Sequence, residues 1–303
     1  MRQLTKNLTK KANNLPLAFS GIPLAAESLF DIGGFTVSNA MVNAWIAVAF
    51  FAIIAFVTSR RKSLIPKGIH NVIEALIEFS MKEIQKVTED EGKTRRFFPL
   101  VATIFFFILF SNWLGLIPGT GSIGIWQEIH GHLELIPLLR PATSDLNLTL
   151  AIAVSAILTT HIAGVAYKGG FKHFSQFINF RGIFLSLKKG PMAFIVSLVE
   201  FGIGFIEIVG EFAKTLSLSL RLFGNVFAGE ILLHVMLSLF AYVLPIPFIF
   251  MEILVGAIQA TVFAMLTLAF LVVASSDHGH DEEHDESHEH ETIEGTALQA
   301  EQH

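Results

Sequence analysis

A single arginine, Arg221, interrupts the apolar run SLSLRLFGNVFAGE at residues 217–230. Burial cannot remove its charge, because a guanidinium stays protonated at any ordinary pH. An arginine at the centre of a bilayer costs at least about 2.5 to 3.5 kcal/mol, so we expect Arg221 to face protein or water and to meet an anionic partner. Charged groups inside membrane spans usually mark ion pathways, and Arg221 is therefore a functional candidate.

Other polar residues share this helical stripe. Four of them lie within about 80° of Arg221 if the helix turns about 100° per residue: Glu207, Glu211, Lys214 and Asn225. A structural ion-pair network is the alternative interpretation, because the two glutamates and the lysine have the spacing of helical ion pairs. Glu230 falls on roughly the opposite face, which argues against a direct pair with Arg221 along one helix.

The composition indicates an integral membrane protein. Of the 303 residues, 52% are hydrophobic and 29 are Phe, and the mean hydropathy of +0.59 is too high for an ordinary soluble domain of this size. The absence of cysteine excludes disulfides, thiolate catalysis and cysteine-bound zinc. Nothing in the composition indicates nucleic-acid binding.

The hydropathy pattern predicts an all-α membrane protein with about five transmembrane helices, at residues 37–58, 97–117, 146–167, 192–240 and 248–274. The fourth would be about 74 Å long against a hydrocarbon core of about 30 Å. No proline or turn cluster interrupts it, so we expect one strongly tilted helix, paired with the last helix. Residues 66–91 alternate apolar and charged positions at helical spacing, which predicts an amphipathic helix at the cytoplasmic surface.

Basic residues set the expected orientation. The loop after the third span carries five Lys or Arg and no acidic residue, and Arg60, Arg61 and Lys62 follow the first span. By the positive-inside tendency these ends are cytoplasmic, which puts the N-terminus outside and the C-terminus inside. For residues 1–36 we expect an external or interfacial segment rather than a cleaved signal peptide.

The segment after the membrane domain of residues 37–274 differs in composition. Residues 275–303 form an acidic, histidine-rich tail that we expect to be disordered. Its five clustered histidines could instead bind a metal: His278, His280, His284, His288 and His290. We prefer the disordered tail to the metal site, because such tracts hold metals adventitiously.

Four stretches carry a family resemblance. The run SLSLRLFGNVFAGE closely resembles the membrane stator subunit a of bacterial F-type ATP synthases, and NWLGLIPGTG, PATSDLNLTLAIA and IQATVFAMLTLAFL are similar to the same family in the same order. The resemblance covers about residues 37–274. It implies a proton-translocating stator subunit whose two half-channels and essential arginine couple proton flow to rotation of a ring of c subunits.

The resemblance also implies roles for single residues. Arg221 matches the essential arginine that faces the rotor, and Asn225, Glu230 and Gln259 match polar positions of the proton path. At Glu252 some members have histidine and others glutamate. Because Glu230 and Glu252 are both acidic, it stays open which carboxyl is protonated at rest, and either could instead be a neutral packing residue. His234 could join a relay or only form a hydrogen bond within the bundle.

The family further implies a non-catalytic membrane subunit without a cofactor, in the cell inner membrane, beside the c ring, the subunit b peripheral stalk and the other ATP synthase subunits. The coupling ion stays open between proton and sodium, because the rotor site is on another chain. Two other classes compete: a secondary transporter or metal carrier, and an intramembrane enzyme. The spans offer no histidine pairs at i, i+4 spacing for the first, and no HExxH or GxSxG motif for the second.

Overall fold

The computed structural model describes residues 26–60, 68–117, 123–129, 132–170, 191–239 and 245–276. Within these ranges there are six long α-helices: α1 Asn39–Arg60, α2 Ile69–Thr88, α3 Glu91–Gly115, α4 Leu146–Lys168, α5 Pro191–Leu239 and α6 Pro245–Ser275. All except α2 are long and apolar enough to cross a membrane. The predicted all-α membrane architecture with five spans is therefore confirmed.

A β-hairpin that the sequence analysis did not predict comes before α1. Strands β1 Ser28–Ile32 and β2 Phe35–Ser38 pair antiparallel, and Gly33 and Gly34, with φ of +60° and +91°, make the two-residue turn between them. The predicted start of the first span at Val37 is wrong by two residues, because Val37 pairs with Phe30 in the hairpin. Hydropathy alone cannot separate an apolar strand from the helix that follows it.

The amphipathic helix is confirmed as α2, and its exposed side carries the ion pair Glu78–Lys82 at 2.7 Å. The span after it, α3, begins six residues before the predicted Phe97. Asp90 caps this helix, since its Oδ1 accepts hydrogen bonds from the backbone N–H of Gly92 and Lys93 at 2.6 and 3.2 Å. The helix therefore begins with a charged turn, which a prediction from hydropathy does not include in the span.

A second hairpin and a short turn occupy the loop between α3 and α4. Strand β3 Gly124–Ile129 pairs antiparallel with β4 His132–Pro137, and a 3-10 helix follows at Ala142–Ser144. The Thr143 hydroxyl donates a hydrogen bond to Asn112 Oδ1 near the end of α3. This loop, to which the sequence analysis assigned no structure, is thus attached to the membrane helices.

The long apolar run is one unbroken helix, α5, of 49 residues, as predicted. Its tilt in the bilayer stays a prediction. Helix α6 begins at Pro245, three residues before the predicted Phe248. Pro245 and Pro247 lie in its first turn, where the backbone N–H has no intrahelical partner and proline is tolerated, so they start the helix rather than form a separate turn.

The chain divides into two compact units. The first comprises the described residues within 1–157 and 210–268, and its core is formed by α3, α4, α5 and α6: Ile108, Ala153, Ala156, Leu218, Leu222, Val226, Ala260 and Phe263. The second comprises the described residues within 158–209 and 269–303. The predicted division at residues 36 and 274 stays a prediction, and residues 277–303 lie outside the described ranges.

Gly115 offers a test of how the loop is attached. A methyl group at this position would lie 2.7 Å from Cδ of Pro141, and the proline ring cannot rotate away. We expect Gly115→Ala to destabilise the subunit by about 1 to 3 kcal/mol through overpacking. Thermal aggregation of the detergent-solubilised complex measures this effect. Gly202→Ala, where no heavy atom lies within 4 Å, is the matched control. Aggregation of the two variants at the same temperature would contradict the close packing of Pro141 against Gly115.

Candidate functional site

Arg221 lies on α5 near the middle of the apolar segment Phe201–Leu239, and it is exposed on the surface of the chain. Its guanidinium forms no hydrogen bond or ion pair with any residue that the structure describes. The lysine of the same stripe is paired, since Lys214 Nζ lies 2.6 Å from Glu211 Oε1. The helical ion pair expected from the spacing therefore forms, and it leaves Arg221 out.

Asn225, one turn from Arg221, connects α5 to α6. Its Nδ2 donates a hydrogen bond of 2.7 Å to Oε1 of Gln259. Gln259 is buried, and it shares one face of α6 with Glu252, seven residues earlier. The structure thus brings together two of the residues that the sequence singled out, on two different helices.

Glu252 lies against the backbone of α5. Its carboxylate occupies the space in which a side chain at Gly229 would begin. The side chain is only 7% exposed, yet the described residues offer it no hydrogen bond and no cation. Glycine at position 229 is what permits this close approach.

Glu230, the next residue on α5, has a cation that sequence reasoning missed. The Nε of Arg140 lies 2.9 Å from Oε1 and 3.0 Å from Oε2 of Glu230. The arginine side chain is 3% exposed, and its guanidinium carbon lies 5.8 Å from the centre of the Phe227 ring. The available signal was a single basic residue in a loop otherwise free of lysine and arginine, directly before a span.

Asn112 on α3 is a second residue that sequence reasoning missed. It is buried and accepts the hydrogen bond from Thr143, and its Nδ2 has no hydrogen-bond partner among the described residues. A methyl group at Gly256 would lie 3.6 Å from that nitrogen. Because Gly256 lies between Glu252 and Gln259 on the same helix face, the free amide donor is directed at the middle of the polar series on α6.

The polar groups follow one order along both helices. On α5 they run from Glu230 to Asn225 and Arg221, and on α6 from Glu252 to Gln259. Of the other predicted site residues, Glu207 belongs to the second unit, and His234 is exposed one turn beyond Glu230 on α5. The five tail histidines lie outside the described ranges, within which no group of three or more metal-ligating side chains occurs.

A family profile described as ATP synthase A chain matches residues 41–272, which include the whole series. The chain belongs to the ATP synthase A chain family. Curated members are similar over most of their length. The ATP synthase subunit a of Moorella thermoacetica is 31% identical over 83% of this chain and 96% of the relative. ATP synthase subunit a 1 of Syntrophotalea carbinolica is 34% identical over 77% and 84%.

Membership of the A chain family confirms the resemblance found in the sequence. It makes the chain a multi-pass membrane subunit of the proton-translocating sector of ATP synthase, a complex that contains other subunits. The roles of single residues in that sector are not decided by family membership.

Gly229 gives a test of the contact between the two helices. In Gly229→Ala we expect the flexible Glu252 side chain to be displaced while the helices stay in place, so ATP-driven proton pumping should fall by about tenfold with normal assembly. Acidification of inverted vesicles and immunoblotting of the subunit measure the two effects. Gly210→Ala, which meets no heavy atom within 4 Å, is the matched control. Unchanged pumping in Gly229→Ala would contradict a role for the position of Glu252.

Proposed function

We propose that this chain is the proton-conducting stator subunit of its ATP synthase and that Arg221 is the residue that couples proton flow to rotation of a c ring. The observation that carries the proposal is the exposed, unpaired guanidinium near the middle of the longest span. A permanent cation at that depth requires an anionic partner. The described part of the chain does not supply one, and in this proposal the partner is a carboxylate of another subunit.

The pairing of neighbouring charges supports this argument. In the same unit, Lys214 and Arg140 each have a glutamate within 3 Å. Only 17% of the most apolar window of Phe201–Leu239 is buried within the chain, against 39% for α6. The long helix therefore has most of its surface available for another protein or for lipid. A ring of c subunits, each with one carboxylate inside the membrane, would supply an anionic partner for Arg221 and a protein surface to cover the long helix.

The polar series between Glu230 and Asn225 forms the external half-channel in this proposal. A proton from outside passes the two carboxyls, Glu230 and Glu252, and then Gln259 and Asn225, which are hydrogen-bonded one turn from Arg221. It then protonates a rotor carboxylate. The neutral carboxyl can rotate into lipid, because it avoids the large desolvation cost of an ionised carboxylate.

After nearly a full turn the rotor carboxyl ionises into a second, cytoplasmic half-channel. Glu211 and Lys214 precede Arg221 on α5 and line this half-channel. The Arg221 guanidinium stabilises the ionised rotor carboxylate, since an opposite charge favours the charged form. Its fixed charge also repels a proton that would pass directly between the half-channels, so that flow requires rotation.

The rest of the assignment follows from this role. The subunit is non-catalytic, and nucleotide chemistry belongs to other subunits of the complex. It contacts the c ring and the subunit b peripheral stalk in the cell inner membrane, with its N-terminus outside and its C-terminus in the cytoplasm.

Replacement of Arg221 tests the coupling role. We expect Arg221→Ala to reduce ATP-driven acidification of inverted vesicles by more than about a hundredfold while the assembled complex still hydrolyses ATP. Arg221→Lys keeps a charge but loses the planar fork and can release its proton, so we expect loss of coupling there too.

Arg60→Ala is the control, because Arg60 is an exposed arginine at the cytoplasmic end of α1. Normal acidification in Arg221→Ala would overturn the proposal and reopen the transporter interpretation.

The orientation has its own test, which the cysteine-free chain makes simple. Trp126 on β3 and Lys82 on α2 are both exposed, at 66% and 65%. We expect Trp126→Cys to react with a membrane-impermeant maleimide in intact spheroplasts, and Lys82→Cys to react in inverted vesicles. The reverse pattern would contradict the proposed orientation.

A further inference from the structure

Two carboxyl groups lie at the outer end of the polar series: that of Glu230 itself, and that of Glu252, which touches the preceding residue, Gly229. Among the described residues, only Glu230 has a cation. Glu230 is bound by Arg140 through both carboxylate oxygens, at 2.9 and 3.0 Å. Glu252, whose carboxylate touches Gly229 next to Glu230, has neither a cation nor a hydrogen bond among the described residues. The two acids are alike in sequence and differ in their surroundings.

Arg140 is held in place by its own segment. Pro141 packs against Gly115 at the end of α3, and Thr143 donates a hydrogen bond to Asn112. The guanidinium also lies over the ring of Phe227, which precedes Glu230 by three residues on α5. The loop therefore places a fixed cation beside the carboxylate of Glu230 and not beside that of Glu252.

A buried guanidinium cannot release its proton, and an unpaired buried charge is strongly unfavourable. As long as Arg140 occupies this position, the lowest-energy state keeps Glu230 as its counter-ion. Protonating Glu230 would remove the negative charge that lies 2.9 Å from Nε of Arg140. Glu252 has no such constraint, because gaining or losing a proton there breaks no ion pair.

We propose that Arg140 is a positioning residue for the two carboxyls of the external half-channel. It keeps Glu230 permanently ionised, and Glu252 is therefore the group that carries the proton. This inference rests on the proposed function. The charged and titratable groups that face Glu230 in the described part of the chain are Arg140 from the loop and His234 from its own helix. Glu252 from α6 touches the preceding residue, Gly229.

Removing Arg140 should change how the two acids share a proton. Without the cation, no positive charge from the loop holds Glu230 in its ionised form, so Glu230 takes up a proton and competes with Glu252 for it. Proton release towards Gln259 then becomes slow at neutral pH and recovers at higher pH. A merely structural role of Arg140 would reduce assembly and leave the pH profile of the assembled complexes unchanged.

The experiment measures ATP-driven acidification of inverted vesicles against pH, normalised to the amount of assembled complex and to ATP hydrolysis. We expect Arg140→Gln to pump about tenfold more slowly at pH 7 and to show an optimum at higher pH. Arg140→Lys, which keeps the cation, should retain more activity. Arg95→Gln is the matched control, since it breaks an exposed Arg–Glu pair on α3.

The double variant Arg140→Gln with Glu230→Gln gives the sharpest outcome. It removes both charges together, so we expect it to pump at least about fivefold faster than Arg140→Gln alone and to regain the original pH profile. We also expect Glu252→Gln to abolish pumping in assembled complexes. The inference is overturned if the double variant shows no rescue, or if Glu252→Gln pumps normally.

Arg221→Ala in the same vesicles separates the two levels of the argument. If Arg221→Ala is inactive and the rescue fails, only the roles assigned to Arg140, Glu230 and Glu252 are wrong. If Arg221→Ala pumps normally, the proposed function itself fails. Assembly defects do not hide the result, because Arg140→Lys and the double variant keep the site electrically balanced.

Discussion

The high cost of an uncompensated charge away from water decides the arrangement of the polar residues in this chain. Arg140 is almost completely buried and lies within hydrogen-bonding distance of Glu230, and Lys214 is bound to Glu211 on the same helix. Removing one partner of a buried pair costs about 3 to 5 kcal/mol, which makes the Arg140–Glu230 pair a strong constraint on structure. Arg221 differs from these two cations because the described residues offer it no anionic partner, and the proposed function assigns that partner to another subunit.

The non-helical loop between α3 and α4 contributes to the site because it is attached to the helices. Irregular backbone inside a membrane protein is tolerated where it is buried in protein or lines a watery cavity. Here the segment from Pro137 to Ser144 is held by hydrogen bonds to Asn39 and Asn112. Its attachment gives Arg140, a loop residue, a fixed position beside Glu230.

The sequence predicted the helices well where their signal was local. The five spans, the amphipathic helix and the unbroken 49-residue helix all depend on periodicity and hydropathy within one segment. The errors lie at helix ends. Asp90 extends α3, Pro245 starts α6 and Val37 belongs to a strand, because caps, first-turn prolines and strand pairing are decided by hydrogen bonds that hydropathy does not register.

The sequence by itself determined the membrane class, the number of spans, the family resemblance and the unusual position of Arg221, because each depends on residue type and spacing along one helix. Only the tertiary structure decided which groups meet across helices. It paired Glu230 with Arg140, 90 residues away in the chain, and Asn225 with Gln259, 34 residues away. Such contacts depend on how distant segments pack, and one helix's periodicity carries no information about its neighbour's register.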